Sequence, residues 1–154
     1  MKDIYSIEVE TADGIKTTLG KYKSSPLLIS NIACNCGLAV KNFTNFKMLQ
    51  EKFPTLKILL FPSNQFKQEL GDISEIKRIV KGYSEDFILF GKVKLLFSEK
   101  HEIFEHLTSE KGSFLLGNFI KWNFTKFLVD KDGKVVKRVS PSILVKESDI
   151  AEII

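Results

Sequence analysis

The sequence has few cysteines and no long apolar stretch. Two cysteines in 154 residues cannot form the dense disulfide framework that stabilises many small secreted proteins. The longest apolar runs, such as residues 56–61, have the length of a strand and are far shorter than a membrane span. Residues 1–4 lack the apolar core of a secretory signal. These absences predict a protein without a membrane span in a reducing compartment, and we expect the cytoplasm.

An excess of charge of one sign is also small. Lys and Arg number 23 against 19 Asp and Glu, which gives a net charge of +4, and the basic residues are scattered along the chain. A nucleic-acid surface needs clustered positive charge, so we expect no nucleic-acid partner. The chain length suits one domain with a sizeable core, and we predict a single domain over residues 1–154.

Hydrophobic patterning predicts alternating strands and helices. Residues 4–10 and 15–19 flank Asp13-Gly14 and predict an N-terminal hairpin. The apolar runs 27–32 and 56–61 predict buried strands joined by a helix. The remaining predictions follow in chain order: the joining helix over 38–53, a helix from an Asp72 cap to Gly82, an ambiguous segment over 87–97, a helix over 99–109, a second hairpin over 124–139 with its turn at 130–133, and a C-terminal helix from residue 146 or 148.

This order of elements predicts an α/β fold. Two strands joined by a helix pair in parallel through a right-handed crossover, whereas strands joined by a tight turn are antiparallel. The result is a mixed central sheet flanked by helices, with an N-terminal β-hairpin, which is the outline of a thioredoxin-like fold. Sites in open α/β sheets gather where strands end and helices begin. Cys36 lies at such a point in the predicted order.

Both cysteines lie in the stretch NIACNCGLA, residues 31–39. A thiol at a helix N-terminus meets backbone N–H groups and the positive end of the helix dipole, which favour a reactive thiolate, and we predict this for Cys36. Cys34 falls in the strand-like run, where we expect a small buried hydrophobe. A zinc site is not favoured, because one intervening residue is too few and no second ligand pair follows. His101 and His106 are expected to face solvent.

Two further stretches complete a recognisable pattern. They are FPSNQFKQELG at 61–71 and KWNFTKFLVDKDGKVV at 121–136. Together with NIACNCGLA, and in this order, they resemble the glutathione peroxidase family of thioredoxin-fold enzymes. The likeness spans nearly the whole chain and is to the cysteine-containing, short-loop type, similar to phospholipid hydroperoxide glutathione peroxidase.

The resemblance implies a catalytic set of Cys36, Gln68, Trp122 and Asn123, with Gln65 as the alternative to Gln68. It implies that the Cys36 thiolate attacks a hydroperoxide and becomes a sulfenic acid, while amide and indole N–H groups donate to the sulfur and the leaving oxygen. Hydrogen peroxide and organic or lipid hydroperoxides are the implied substrates, and glutathione or a thioredoxin-like thiol the implied reductant. No metal, haem or flavin is implied, and the short chain implies a monomer.

The sequence departs from the family pattern in several places. Ser63 stands where members commonly have a second cysteine, and residues 74–81 contain no cysteine, although many thioredoxin-dependent members carry a resolving thiol in that helix. Cys34 occupies a position where serine is usual. The segment after Phe66 is one residue shorter than usual, which leaves the placement of Gln68 open.

Two other functions remain open from the sequence. Cys34 and Cys36 could act as a thiol–disulfide oxidoreductase pair, or Cys34 could resolve the oxidised Cys36. A disulfide across one residue is strained and labile, and strand geometry would hold the two Cα atoms about 7 Å apart. The fold could also serve as a redox sensor with little turnover, which the shortened segment after Phe66 favours.

Overall fold

The chain forms a two-stranded hairpin and a five-stranded mixed sheet. The computed structural model describes residues 3–63, 71–96, 99–112, 120 and 122–154. The hairpin pairs β1 (Val9–Glu10) with β2 (Lys16–Thr17). The central sheet has the order β5-β4-β3-β6-β7. Parallel pairs join β3 to β4 and β4 to β5, whereas β6 is antiparallel to β3 and β7. The central strands are β3 (Leu27–Ile32), β4 (Lys57–Pro62), β5 (Ile88–Leu89), β6 (Lys126–Val129) and β7 (Val135–Val139).

Helices cover both faces of the central sheet. In the described residues, the α-helices are α1 (Ala39–Lys52), α2 (Ile73–Tyr83), α3 (Glu102–Glu110) and α4 (Glu147–Ala151). On one face α1, α2 and α4 contribute Phe43, Ile76 and Ile150 to a buried cluster with the strands. On the other face Phe104 of α3 and Ile4 of the N-terminal segment join a second cluster. This confirms the predicted thioredoxin-like fold, a mixed sheet flanked by helices with an N-terminal hairpin. None of the described helices is both long and apolar enough to span a lipid bilayer.

The two-sided cover explains why the buried strands read as largely apolar runs. Successive side chains of a strand point to opposite faces, so Leu28 joins the cluster under α1, whereas Leu27 and Ile29 join the cluster under α3. A strand buried on both faces is therefore apolar along most of its length, and in β3 only Ser30 and Asn31 are polar. The prediction for β3 is confirmed residue for residue, and that for β4 is displaced by one residue.

The predicted N-terminal strand is shorter than its pattern. Residues Ile4–Ser6 form a 3₁₀ turn, so the prediction of a strand beginning at residue 4 is wrong. The cause is local, because the Asp3 carboxylate accepts from the Ser6 N–H at 3.0 Å and from the Ser6 hydroxyl at 2.9 Å. Such side-chain bonds to nearby backbone compete with strand pairing.

Helix α2 begins as predicted and ends later. The Asp72 carboxylate accepts from the Glu75 N–H at 2.9 Å, which confirms the predicted cap. The prediction that Gly82 ends the helix is wrong, since α2 continues to Tyr83. The Tyr83 ring lies 4.9 Å from the Phe43 ring between centroids, and this packing favours one more helical residue past the glycine.

Helix α3 begins three residues after its predicted start. His101 precedes its first residue, Glu102, and His101 Nδ1 accepts from the Ile103 N–H at 3.0 Å. The imidazole is half-buried and caps the helix, so the expectation that His101 faces solvent is wrong. Burial lowers the pKa of His101, which favours the neutral ring that the accepting nitrogen requires.

The turn of the second hairpin depends on a glycine in the left-handed region. Gly133 has φ +83°, and a Cβ placed there would lie 2.8 Å from a ring carbon of Tyr5. Gly14 has φ +82° in the first hairpin, but its nearest neighbour would be 3.9 Å away. Both alanine variants add backbone strain of about 1–2 kcal/mol, and only Gly133→Ala adds an overlap.

We therefore expect Gly133→Ala to lower the free energy of unfolding by about 1–3 kcal/mol more than Gly14→Ala does. Chemical denaturation of the two variants measures this difference. Equal losses would contradict the close approach of Tyr5 to the turn.

Candidate active site

Cys36 lies in the turn that connects β3 to α1. The strand ends at Ile32, and the Cys36 N–H donates to the Ala33 carbonyl at 3.2 Å. The Cys36 carbonyl in turn accepts from the N–H of Ala39, the first residue of α1, at 3.0 Å. Two successive turns thus carry the chain from the sheet edge into the helix and place the thiol between them.

The sulfur of Cys36 receives a backbone hydrogen bond. The Leu38 N–H donates to Sγ at 3.4 Å, and Leu38 is the residue that precedes α1. Only 6 % of the Cys36 surface is exposed. An N–H group aimed at sulfur at the start of a helix is a suitable partner for a thiolate, and the burial keeps most of the thiol away from water.

Cys34 differs from its predicted setting. It lies beyond the last residue of β3, in the turn, and it is half-buried against the cluster that contains Cys36. The expectation of a fully buried residue within the strand is therefore wrong. Strand geometry does not separate the Cα atoms of Cys34 and Cys36 either, because the strand has already ended at Ile32.

Strand directions bring most of the predicted site residues to one edge of the sheet. The parallel strands β3 and β4 end there, and the Ser63 N–H donates to the Ile32 carbonyl at 3.1 Å. Strand β6 is antiparallel to β3 and so begins at this same edge. Cys36 follows β3, while Trp122 and Asn123 precede β6. Gln68 and its alternative Gln65 lie outside the described residues, so their part in the site stays a prediction.

The segment before β6 directs neighbouring side chains to different environments. Trp122 is 37 % exposed and Asn123 is fully buried. Phe124 is buried as well, and its ring packs edge-on against Phe43 of α1 with centroids 5.2 Å apart. Phe124 thus anchors the segment in the core, while the indole of Trp122 reaches the surface.

Asn31 binds this segment to β3. Its side-chain N–H donates to the Trp122 carbonyl at 3.1 Å, and its side-chain oxygen accepts from the Thr125 N–H at 3.0 Å. Its backbone carbonyl accepts from the Phe124 N–H at 2.8 Å. Sequence reasoning did not assign this role, although a polar residue inside an apolar strand just before the cysteines was an available signal.

Lys126 is a second buried polar residue that sequence reasoning did not single out. Its side chain lies on β6 with no exposed surface. Its Nζ donates to Asn42 Oδ1 at 2.9 Å and to three carbonyls of the segment after β7. Burial, reinforced by the charge of Lys41, lowers its pKa to about 7. The three carbonyls are those of Ser140 at 2.8 Å, Pro141 at 3.1 Å and Ile143 at 2.7 Å.

Comparison with known proteins assigns this arrangement to a family. The family model for glutathione peroxidase matches residues 4–108. A probable phospholipid hydroperoxide glutathione peroxidase of Encephalitozoon cuniculi is 45 % identical over 150 residues, covering 94 % of this chain and 85 % of that protein. The crystal structure of T. cruzi GPX1 has a TM-score of 0.76 at 31 % identity, covering 98 % of this chain and 93 % of that one. The apo-form crystal structure of Trgpx has a TM-score of 0.78 at 25 % identity, covering 99 % and 96 %.

These likenesses define the class of protein as a thiol peroxidase with a thioredoxin-like fold. The chain belongs to the glutathione peroxidase family. It is accordingly a peroxidase, an oxidoreductase that reduces hydroperoxides at the expense of a thiol. This confirms the family predicted from the three sequence stretches.

Proposed function

We propose that Cys36 is the thiol that reacts with the hydroperoxide. The observation that carries this assignment is the hydrogen bond from the Leu38 N–H to Cys36 Sγ in the turn before α1. The thiolate sulfur attacks the terminal oxygen of ROOH, an S–O bond forms and the O–O bond breaks. The departing RO⁻ takes up a proton and leaves as water or an alcohol, and Cys36 is oxidised to the sulfenic acid.

Neighbouring donors stabilise the charge that moves during this step. We assign that role to Trp122, Asn123 and Gln68, in addition to the Leu38 N–H. The partial exposure of Trp122 and the burial of Asn123 at the edge of the sheet support this assignment. For Gln68 the support is the sequence pattern of the family alone.

The reductant we propose is an external thiol, with glutathione as the first candidate. A glutathione thiolate attacks the sulfenic sulfur, hydroxide leaves and becomes water, and a mixed disulfide forms. A second glutathione then releases the Cys36 thiol and takes the oxidised pair away as glutathione disulfide. The absence of cysteine from α2, together with serine at position 63, supports an external partner over an internal one.

Organic and lipid hydroperoxides are the proposed substrates beside hydrogen peroxide. The name of the Encephalitozoon cuniculi relative supports a phospholipid hydroperoxide. Exposed apolar side chains support it as well, since Trp122 lies at the site edge and Val40, 68 % exposed, lies in the first turn of α1. We further propose a cytoplasmic monomer that needs no metal, haem or flavin.

Peroxide turnover measured with two reductants tests the proposal. Hydrogen peroxide and a phospholipid hydroperoxide are each supplied with glutathione or with a thioredoxin system, and we expect consumption of both peroxides with glutathione. Insulin reduction without peroxide consumption would instead identify a thiol–disulfide oxidoreductase. A single oxidation with no turnover by either reductant would identify a redox sensor.

Replacement of Cys34 separates the two routes back to the thiol. We expect Cys34→Ser to keep most of its glutathione-supported turnover, because a ring closed across one residue is strained. Mass spectrometry of the oxidised wild type treated with glutathione is expected to show an adduct on Cys36. A loss of two hydrogens that bridges Cys34 and Cys36, together with an inactive Cys34→Ser variant, would make Cys34 the resolving thiol.

A further inference from the structure

Asn31 connects the two halves of the proposed site. It lies on β3 five residues before Cys36, and all its hydrogen bonds described above reach the segment that carries Trp122 and Asn123. The Thr125 hydroxyl adds a bond of 3.2 Å to the same Trp122 carbonyl that the Asn31 amide binds. Asn31 and Thr125 are both essentially inaccessible to water, so no solvent molecule replaces either donor without rearrangement.

The segment needs such restraint because its backbone is strained. Phe124 has φ +65°, in the left-handed region that bulky residues rarely adopt. A conformation of this kind costs about 1–3 kcal/mol and persists only where the surroundings fix it. The contacts that fix it here are the Asn31 carbonyl, which accepts from the Phe124 N–H, and the Asn31 side chain, which binds the Trp122 carbonyl and the Thr125 N–H.

The strained residue determines where its neighbours point. With Phe124 held in this conformation, its ring packs on Phe43 while Trp122 stays partly exposed. A relaxed Phe124 would rotate the preceding peptide and change the direction of both Trp122 and Asn123. Small misplacements of groups around a reacting atom carry large kinetic costs, of the order of 10²-fold for 1 Å.

We infer that Asn31 is a positioning residue for peroxide reduction, one that holds Trp122 and Asn123 in register with Cys36 without touching the substrate. The inference rests on the proposed function of Cys36. It assigns the Asn31 amide a kinetic role in addition to its part in stability, and it assigns the Thr125 hydroxyl the supporting role.

The chain offers a matched control for this inference in Asn45. The Asn45 side chain makes the same kind of clamp on a distant segment, donating to the Val145 carbonyl at 3.1 Å and accepting from the Val145 N–H at 3.1 Å. Asn31→Ala and Asn45→Ala therefore remove equivalent pairs of hydrogen bonds. Only Asn31→Ala releases the segment that bears Trp122.

The test measures stopped-flow oxidation of the thiol by hydrogen peroxide and the emission of Trp122, the single tryptophan of the chain. We expect Asn31→Ala to slow oxidation by about ten- to a hundredfold and to shift the emission maximum. Asn45→Ala should lose a similar amount of stability, keep the wild-type emission and react within about twofold of wild type. Thr125→Val, which removes the hydroxyl, should slow oxidation of the thiol. Thr125→Ser, which keeps the hydroxyl, should oxidise at the wild-type rate.

Different results would overturn the positioning role of Asn31 and the proposed reaction of Cys36 with peroxide. Equal oxidation rates and emission for Asn31→Ala and wild type would overturn the positioning role, and so would equal slowing by Asn45→Ala. If Asn31→Ala does not fold, the Thr125 pair decides, and a Thr125→Val rate equal to that of wild type would reject the role. A wild-type protein whose Cys36 does not react with peroxide would overturn the proposed function, and this inference with it.

Discussion

Cys36→Ser is expected to lose peroxidase activity and to remain folded. A serine hydroxyl has no accessible anion at neutral pH and cannot form a sulfenic acid, so the rate should fall by about a thousandfold or more, towards the uncatalysed background. In the wild type the Leu38 N–H donates to Cys36 Sγ. The fold should survive because the serine oxygen can accept the same hydrogen bond. We expect the free energy of unfolding to change by less than about 1 kcal/mol.

Steady-state peroxide consumption and chemical denaturation of the same preparation measure the two parts of this prediction. Cys34→Ser is the matched control, since it makes the same chemical change two residues away in the same turn. An active Cys36→Ser variant would contradict the assignment of the nucleophile. An unfolded one would show that the thiol has a structural part that the turn geometry does not indicate.

Lys126→Met is expected to cause a large loss of stability. The lysine Nζ donates to Asn42 of α1 and to three carbonyls after β7, and methionine offers none of these bonds. Buried acceptors left without donors cost about 1–3 kcal/mol each before relaxation, so we expect a net loss of about 2–4 kcal/mol at pH 7. Lys131→Met, on an exposed residue of the neighbouring turn, should change stability by less than about 0.5 kcal/mol.

The loss should also depend on pH in a defined direction. Burial lowers the pKa of Lys126 from its ordinary 10.5 to about 7. Between these values the unfolded chain binds the proton that the folded chain releases, so the wild type gains stability as pH rises, by up to about 1.4 kcal/mol per unit. The methionine variant lacks this gain. Unfolding measured from pH 7 to pH 9 should show the difference between wild type and variant widening, and a constant difference would contradict the lowered pKa.

The sequence predicted elements whose signals are local and unopposed. The apolar run of β3 and the Asp72 cap of α2 were predicted correctly because burial and capping act directly on those residues. The end of α2 was predicted wrongly because packing of Tyr83 on Phe43 outweighs the preference of Gly82. Local propensity is a weak guide wherever such tertiary contacts oppose it.

Tertiary contacts that the sequence does not reveal also limited the prediction of the site. Cys36 and Trp122 are predicted as site residues because their stretches resemble the motifs of the family, and the structure brings their segments to the same edge of the sheet. Asn31 and Lys126 could not be predicted, since a polar residue in an apolar run indicates burial without naming its partners. Those partners are distant in sequence, as Trp122 is from Asn31, and only the folded chain brings them together.

Peptide mapping of the oxidised thiol is the direct test of Cys36 as the residue that reacts with the hydroperoxide. The wild-type protein receives one equivalent of hydrogen peroxide in the presence of a dimedone-type reagent, which traps sulfenic acids, and the labelled residue is identified by mass spectrometry. We expect the label on Cys36, at a level that falls in Asn31→Ala at short reaction times. A label on Cys34, or no labelled cysteine while peroxide is consumed, would contradict this expectation.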